Sequence, residues 1–406
     1  MTKTIWIVGG GVESIHGIKL AKRLGLNVVV SDGNPNAPGL KFADKSVIVS
    51  TYNIEETVSA AHEYNQNVSS IDGVICIATD VPLTVASVAE KLGLPGITTE
   101  IAKKCSDKFL MKETLLAGGI PISWFSLVKS VSELRSIISE QGLPLVIKPV
   151  DSRGARGVIR ITPSLDLEWA FEYVKSFSPT SRVMVEEFLE GQQYSTESVI
   201  IDKKSITPGF AERNYELLEE LSPYIIENGG QQPAKIDKKE LDSIVNLAEK
   251  SSSVLGISNA ISKGDIVMTK DGPKIIEIAP RLSGGYFSSD QIPLATGIDI
   301  TKIAICLSLG EKINKDKLHF SQQKAVAIRY FFPKPGKIIS INNYDTFKNK
   351  SWVNKLNLFF GVGDILEKVT DHTKRCGFVI TTGNTREEAV ERARTVVENV
   401  QILTRQ

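Results

Sequence analysis

The chain is short of the residues from which several kinds of site are built. Four cysteines and four histidines in 406 residues leave little material for metal clusters or redox pairs. Cys76, Cys105, Cys306 and Cys376 are far apart, with no ligand or redox spacing, so core thiols in a reducing compartment account for all four. His16, His62, His319 and His372 never fall at metal-ligand spacing, and no Ser/His/Asp or Cys/His arrangement for a covalent nucleophile stands out. A surplus of charge is lacking too. The formal net charge of +1 offers no basic field to nucleic acid or to an anionic membrane, so any bound anion must meet a local site. With no signal peptide and no apolar run of about 18 residues, a cytoplasmic protein is expected, with no membrane and no nucleic-acid partner. What is present is a globular composition, 42% hydrophobic and 23% charged, enough for two or three domains of ordinary size.

The stretch from 262 to 286, SKGDIVMTKDGPKIIEIAPRLSGGY, reads as a β-hairpin. Asp265, Val267 and Thr269 alternate before a Lys270-Asp271-Gly272 turn, and Pro273 to Ile278 alternate after it. Pairing Thr269 with Pro273 sets Asp265 opposite Glu277 on one face, with Cβ atoms about 5 Å apart. Two carboxylates that close need a shared proton or a bridging divalent cation. Arg281 follows, then Gly284-Gly285, where the backbone can approach a ligand. Acid, acid and arginine suit a magnesium nucleotide; the alternative is a solvated hairpin with ordinary surface charges.

Residues 4 to 98 alternate short β-rich runs with helical stretches such as Ser14 to Leu24, the pattern of a parallel, doubly wound sheet. Gly9-Gly10-Gly11, with Asp32 ending the second strand, imitates a dinucleotide fingerprint, but its third glycine position is Ser14, which argues against NAD. A helix is expected from Lys103 to Leu116, around Ser106-Asp107-Lys108-Phe109. A strand from Leu145 delivers Lys148 to a loop with Gly154 and Gly157, whose amides can fold over phosphates while the lysine neutralises them. The loop is not a Walker motif, and Arg153 and Arg156 also read as exposed turn charges. The strand from Val183 breaks at Glu186-Glu187-Phe188-Leu189 and resumes at Tyr194, a hinge where main-chain groups can meet the edge of a purine. Residues 203 to 235 read as an irregular functional lid, with Glu212, Arg213 and Glu227 as its substrate contacts. Lys238 to Leu255 is an amphipathic helix, Asp299 to Leu309 a core helix, and 323 to 406 a separate small α/β unit.

In this order, Lys108, Lys148, the glycine loop, the hinge glutamates, Asp265 and Glu277 resemble the ATP-grasp superfamily over nearly the whole chain. The first sheet, with DGNPNAPGLKFADKSVIV, is similar to the pre-ATP-grasp domain of biotin carboxylase and carbamoyl-phosphate synthetase. The resemblance implies an α/β protein of four parts. These are a pre-ATP-grasp doubly wound parallel sheet (1–102), the two lobes of an ATP-grasp α+β module (103–189 with the glycine loop, 190–315 with the metal hairpin) and a small C-terminal α/β unit (323–406). It further implies that Lys108 and Lys148 hold ATP phosphates beneath Ser152, Gly154 and Gly157. Adenine would lie at Glu186, Glu187, Phe188 and Leu189, and ribose at Gln193. Mg2+, or Mn2+ in its place, would sit on Asp265 and Glu277. Two departures stand out: Ala279 replaces the usual asparagine ligand of a second metal, and Gln193 replaces a glutamate but keeps one acceptor oxygen.

Members of the superfamily mostly phosphorylate a carboxylate with ATP and let a nucleophile displace phosphate, so Arg281 is implied as the stabiliser of the oxyanion. The segment SPYIIENGGQQPAKI, containing Glu227, and the terminal region resemble L-amino-acid ligases. The expected function is therefore an ATP-dependent carboxylate-amine ligase with Arg281 and Glu227 as catalytic residues. Its partners would be a small-molecule carboxylate and an amine, and the resemblance is compatible with a homodimer. Two alternatives remain. The segment CGFVITTGNTREEA is similar to the end of biotin carboxylase, which suggests a bicarbonate-using carboxylase. Ala279 suggests a nucleotide-binding protein that has lost turnover.

Overall fold

In the computed structural model, which describes residues 2–318 and 321–405, strands Thr4–Val8, Asn27–Asp32, Lys45–Ile48 and Gly73–Ile75 form a parallel sheet. The order is third, second, first, fourth. Ile5, Trp6, Ile7 and Val8 are all fully buried, as a central parallel strand covered on both faces requires. The expected helix is observed as Ser14–Arg23. Its close approach to the sheet is made at Gly17, where an added Cβ would come within 2.0 Å of Ile77. Ser14 instead donates its hydroxyl to the Ile77 carbonyl at 2.7 Å. The Asp32 carboxylate accepts from the Gly10 and Asn34 N–H groups at 2.7 and 2.8 Å, so it ties down its own loop rather than standing ready for a ribose. His319 lies outside the described residues.

A four-stranded antiparallel sheet follows, in the order Phe125–Val128, Val183–Glu187, Leu145–Pro149, Ile159–Ile161. Leu134 and Ile137 of helix Val131–Gln141 and Ala170, Phe171 and Val174 of helix Leu167–Ser176 close its core. The largest sheet has eight strands, beginning with the hairpin Gly272–Ala279 and Ala260–Thr269, then Gln192–Ile201, Lys204–Asn214 and Gly229–Gln232. It continues through Ala325–Tyr330, Gly377–Gly383 and Val353–Leu358. Because Gly229–Gln232 bonds to Ala325–Tyr330, this sheet runs from the 190–315 segment into 323–406 instead of ending at the expected boundary. A small sheet of Ile365–Leu366, Gly336–Asn342 and Gln401–Arg405 completes the chain's end. Helix Arg386–Asn399 packs there through Ala389, Ala393 and Val396. Among the described residues no helix is long and apolar enough to cross a membrane.

Two expected elements differ from those observed. The helix expected from Lys103 to Leu116 is broken at Asp107, giving Thr99–Ser106 and Lys108–Ala117. Asp107 takes an extended conformation, and its carboxylate accepts from the Phe109 and Leu110 N–H groups at 3.0 Å each. Cap chemistry thus ends a pattern that periodicity alone would continue, and it sets Lys108 at a helix start. The irregular lid expected over 203 to 235 is strand at Lys204–Asn214 and Gly229–Gln232 and irregular between them, over 215–228. Its prolines and glycines misled: Pro208 falls at a bulge between Ile206 and Gly209, and Gly229 lies so close to the next strand that a Cβ would meet the Ile328 carbonyl at 2.4 Å.

Candidate active site

A cavity of about 1380 Å³ lies between the hairpin, the four-stranded sheet and loops of the first sheet. It brings together every residue expected at the site except Gly157. That glycine packs beneath the loop, where a Cβ would come within 2.9 Å of Pro149 and 3.0 Å of Phe177.

At one end an acid stands between two lysines. Lys112 Nζ lies 2.9 Å from Glu186 Oε2 and donates to the Ser123 hydroxyl at 2.7 Å, while Lys148 hydrogen-bonds Glu186 Oε1. All three side chains are buried. Burial would raise the Glu186 pKa, but the two lysine charges hold it down to about 2. Burial lowers that of Lys148, and Glu186 opposes the shift. The trio carries one net positive charge, and Lys148 and Glu186 line the cavity. Glu186 is therefore committed to the lysines rather than to an adenine edge, and Lys148 is not a lone phosphate cation. Lys112 was missed; its signal was its place one helical turn after Lys108. Lys108 itself donates to the Ser152 carbonyl at 2.6 Å.

At the hinge, the N–H groups of Glu187 and Phe188 go to the carbonyls of Trp124 and Pro144 at 3.0 and 3.3 Å. Those two donors are thus not available to a purine. Glu187 faces Lys274 at 3.3 Å, and the Arg160 guanidinium lies 5.0 Å from the Phe188 ring centre. Leu189 and Gln193 line the cavity. The glycine loop is tied to the chain's end, because the His372 N–H donates to the Gly154 carbonyl at 3.2 Å. Arg153 is no free turn charge, since its guanidinium lies 4.7 Å from the Tyr52 ring centre of the first unit.

At the other end a lysine stands between two acids. Asp265 and Glu277 are cross-strand partners as expected, but by a different count. Thr269 pairs with Gly272, which makes the turn one residue shorter, and a bulge between Asp265 and Ile266 restores the register. Lys263 hydrogen-bonds Asp265 and lies 3.9 Å from Glu277 Oε2, and Lys108 reaches Glu277 Oε1 at 3.6 Å. The positive charge between the carboxylates is therefore a side chain. Burial would raise both acids' pKa values; Lys263 and Arg213 bring Asp265 down to about 2, and Lys108 and Lys263 lower Glu277. Among the described residues no three Asp, Glu, His or Cys side chains converge on one point. Two carboxylates fit magnesium, which takes one or two protein carboxylates and completes its octahedron with phosphate and water oxygens.

Residues from the first sheet reach the site, and sequence gave no sign of them. Arg281 donates to Asp80 at 2.7 Å and to the Leu282 carbonyl at 3.0 Å. Glu13 accepts from the Tyr286 N–H at 3.2 Å. Glu227 is paired with Arg213; its N–H donates to His372 Nε2 at 3.3 Å, and its carbonyl accepts from Arg375 at 3.3 Å. Its Oε1 is buried with no partner among the described residues. Glu212 is held by Gln231 and Arg386 at 2.7 and 2.8 Å. His372, which has no metal-ligand spacing in the sequence, lines the cavity beside Glu227. The four cysteines are free, and burial pushes the Cys76 and Cys105 thiols up to about 11 and 12, which suits inert packing groups.

Comparison with known proteins bears on this geometry. Residues 105–285 match the ATP-grasp domain, and residues 329–405 match the L-amino acid ligase C-terminal domain 2. An uncharacterised protein of Sinorhizobium fredii is 24% identical over 94% of this chain and 79% of its own length. The alanine–anticapsin ligase of Bacillus subtilis is 27% identical over 59% of this chain, which spans only 54% of that ligase. The crystal structure of an L-amino acid ligase from Bacillus licheniformis superposes with a TM-score of 0.86 at 19% identity, covering 100% of this chain and 99% of that one. The phosphoribosylglycinamide synthetase of Anaerococcus prevotii gives 0.76 at 19% identity, with both chains covered in full. Residues 105–285 thus carry the signature of an ATP-grasp domain and residues 329–405 that of an L-amino acid ligase C-terminal domain 2, on a fold shared with solved ligases over the described chain.

Proposed function

We propose that the protein is an ATP-dependent carboxylate-amine ligase that activates a small-molecule carboxylate as an acyl phosphate and joins it to an amine, releasing ADP and phosphate. The carrying observation is that one cavity of about 1380 Å³ is lined by residues of both charged clusters, by Arg281 and by Glu227. That volume exceeds the roughly 300–1,000 Å³ of a single-ligand pocket and leaves space beside a nucleotide.

In the first half-reaction a carboxylate oxygen attacks the γ-phosphorus and the bond to the β-phosphate oxygen breaks, giving acyl phosphate and ADP. Lys148 and Lys108 bind and orient the polyphosphate, since positioning and charge neutralisation dominate phosphoryl transfer. Magnesium, held by Asp265 and Glu277, would supply Lewis-acid charge to the phosphate oxygens. In the second half-reaction the amine attacks the carbonyl carbon, a C–N bond forms, inorganic phosphate leaves and the nitrogen loses a proton. Arg281, oriented by Asp80, stabilises the oxyanion, and Glu227 Oε1 accepts a hydrogen bond from the incoming amine. Leu189 and Phe188 flank the adenine, and Gln193 accepts from the ribose.

The test is ADP and phosphate release across pairs of amino acids and amines. Release that needs both a carboxylate and an amine supports the ligase. Release with bicarbonate alone points to a carboxylase, and nucleotide binding with no release in any mixture points to a protein without turnover.

A further inference from the structure

The hairpin face that meets the cavity carries four residues in a square. Lys263 and Asp265 lie on one strand, with Ala279 and Glu277 directly opposite them. Asp265 Oδ2 bonds the Lys263 ammonium, and Glu277 Oε2 lies 3.9 Å from that same ammonium. The remaining oxygens are also occupied: Asp265 Oδ1 accepts from the Ser195 hydroxyl at 2.8 Å, and Glu277 Oε1 faces Lys108 at 3.6 Å. Ala279, cross-strand from Lys263, has no side-chain donor atom to offer a metal.

We propose that Lys263 is a resident monovalent cation of this site, filling the position between the two carboxylates that a second divalent ion would need, so that the nucleotide-loaded protein holds one magnesium ion per chain. The inference deepens the nucleotide-site reading above and rests on it. Two carboxylates are already matched by two ammonium groups, Lys263 and Lys108, before any nucleotide enters. A single divalent ion arriving with the polyphosphate is balanced by the charge it brings. A second would stand beside a fixed ammonium, with no further protein oxygen from position 279 to draw it there. A lysine also cannot leave by dissociation, so the carboxylates stay apart and oriented whatever the magnesium concentration.

The test counts ions rather than turnover. The full chain is saturated with a non-hydrolysable ATP analogue and titrated with Mn2+, with tightly bound ions counted by electron paramagnetic resonance. The wild type should bind one Mn2+ per chain, Lys263→Arg one, and Lys263→Met two. Lys263→Gln serves if the methionine variant fails to fold, and should also bind two. Two tight ions in the wild type, or one in both the wild type and the uncharged variants, overturns the proposal. Failure of the analogue to bind at any Mn2+ concentration is a different result, and removes the nucleotide-site reading itself.

Discussion

The two ends of the cavity are charge inversions of each other. Beside the glycine loop Glu186 stands between Lys112 and Lys148; on the hairpin Lys263 stands between Asp265 and Glu277. Each cluster carries a minority charge that lets two like charges be buried near each other, and each keeps an excess of one sign within its trio. The difference lies in what can replace the minority charge. A metal ion from solution can take the place of a lysine between two acids. An anion from solution substitutes less readily for Glu186, because it would have to reach Lys112, which has no exposed surface.

The largest expected effect follows from that asymmetry. Glu186→Ala strands two buried ammonium groups and should cost about 3–5 kcal/mol of stability, measured by urea unfolding, with no recovery on adding magnesium. Lys263→Met also strands like charges, but its loss should shrink as magnesium is added. Equal magnesium responses in the two variants would break the comparison.

Next in size is a contrast between two glutamates. Glu277→Gln removes a carboxylate at the proposed metal position and should lower turnover about a hundredfold or more. Glu187→Gln disturbs only a partly exposed pair with Lys274 and should change turnover by about threefold or less. Steady-state rates at saturating ATP decide it; similar losses would mean that the hairpin does not hold the metal.

The smallest effect concerns pH. Burial, then the charges of Arg375 and Arg213, push the His372 pKa far below its ordinary 6.5. The unfolded chain therefore takes up a proton near pH 6.5 that the folded chain refuses, so stability present above that value is lost as pH falls below it. His372→Gln should flatten the acid limb of a stability–pH curve by up to about 1.4 kcal/mol per pH unit below that point. An unchanged slope would show that His372 is protonated in the folded chain.

Much of this site was legible because its signals are local. Strand periodicity placed Asp265 opposite Glu277, although the turn and the bulge each departed from the expected count by one and cancelled. The same periodicity put Lys263 on the face of Asp265, a signal that was present and unused. Lys112 could be read from the helix beginning at Lys108. Elsewhere local signs pointed the wrong way. Pro208 and Gly229 suggested that the whole of 203 to 235 is irregular, whereas they mark a bulge and a close strand approach inside a sheet, and the long irregular stretch is only 215–228.

The sequence by itself determined the order of the phosphate-binding, hinge and hairpin segments and the alternation that brings the two acids together, because those features depend on neighbours a few residues away. Only the tertiary structure decided which charges are paired. Glu186 meets Lys112 and Lys148, and Arg281 meets Asp80 across 201 positions of chain. Such pairings have no periodicity to read. They are set by how the sheets pack, and a buried charge takes whichever opposite charge that packing brings within reach, because the cost of leaving it alone exceeds the cost of any local rearrangement.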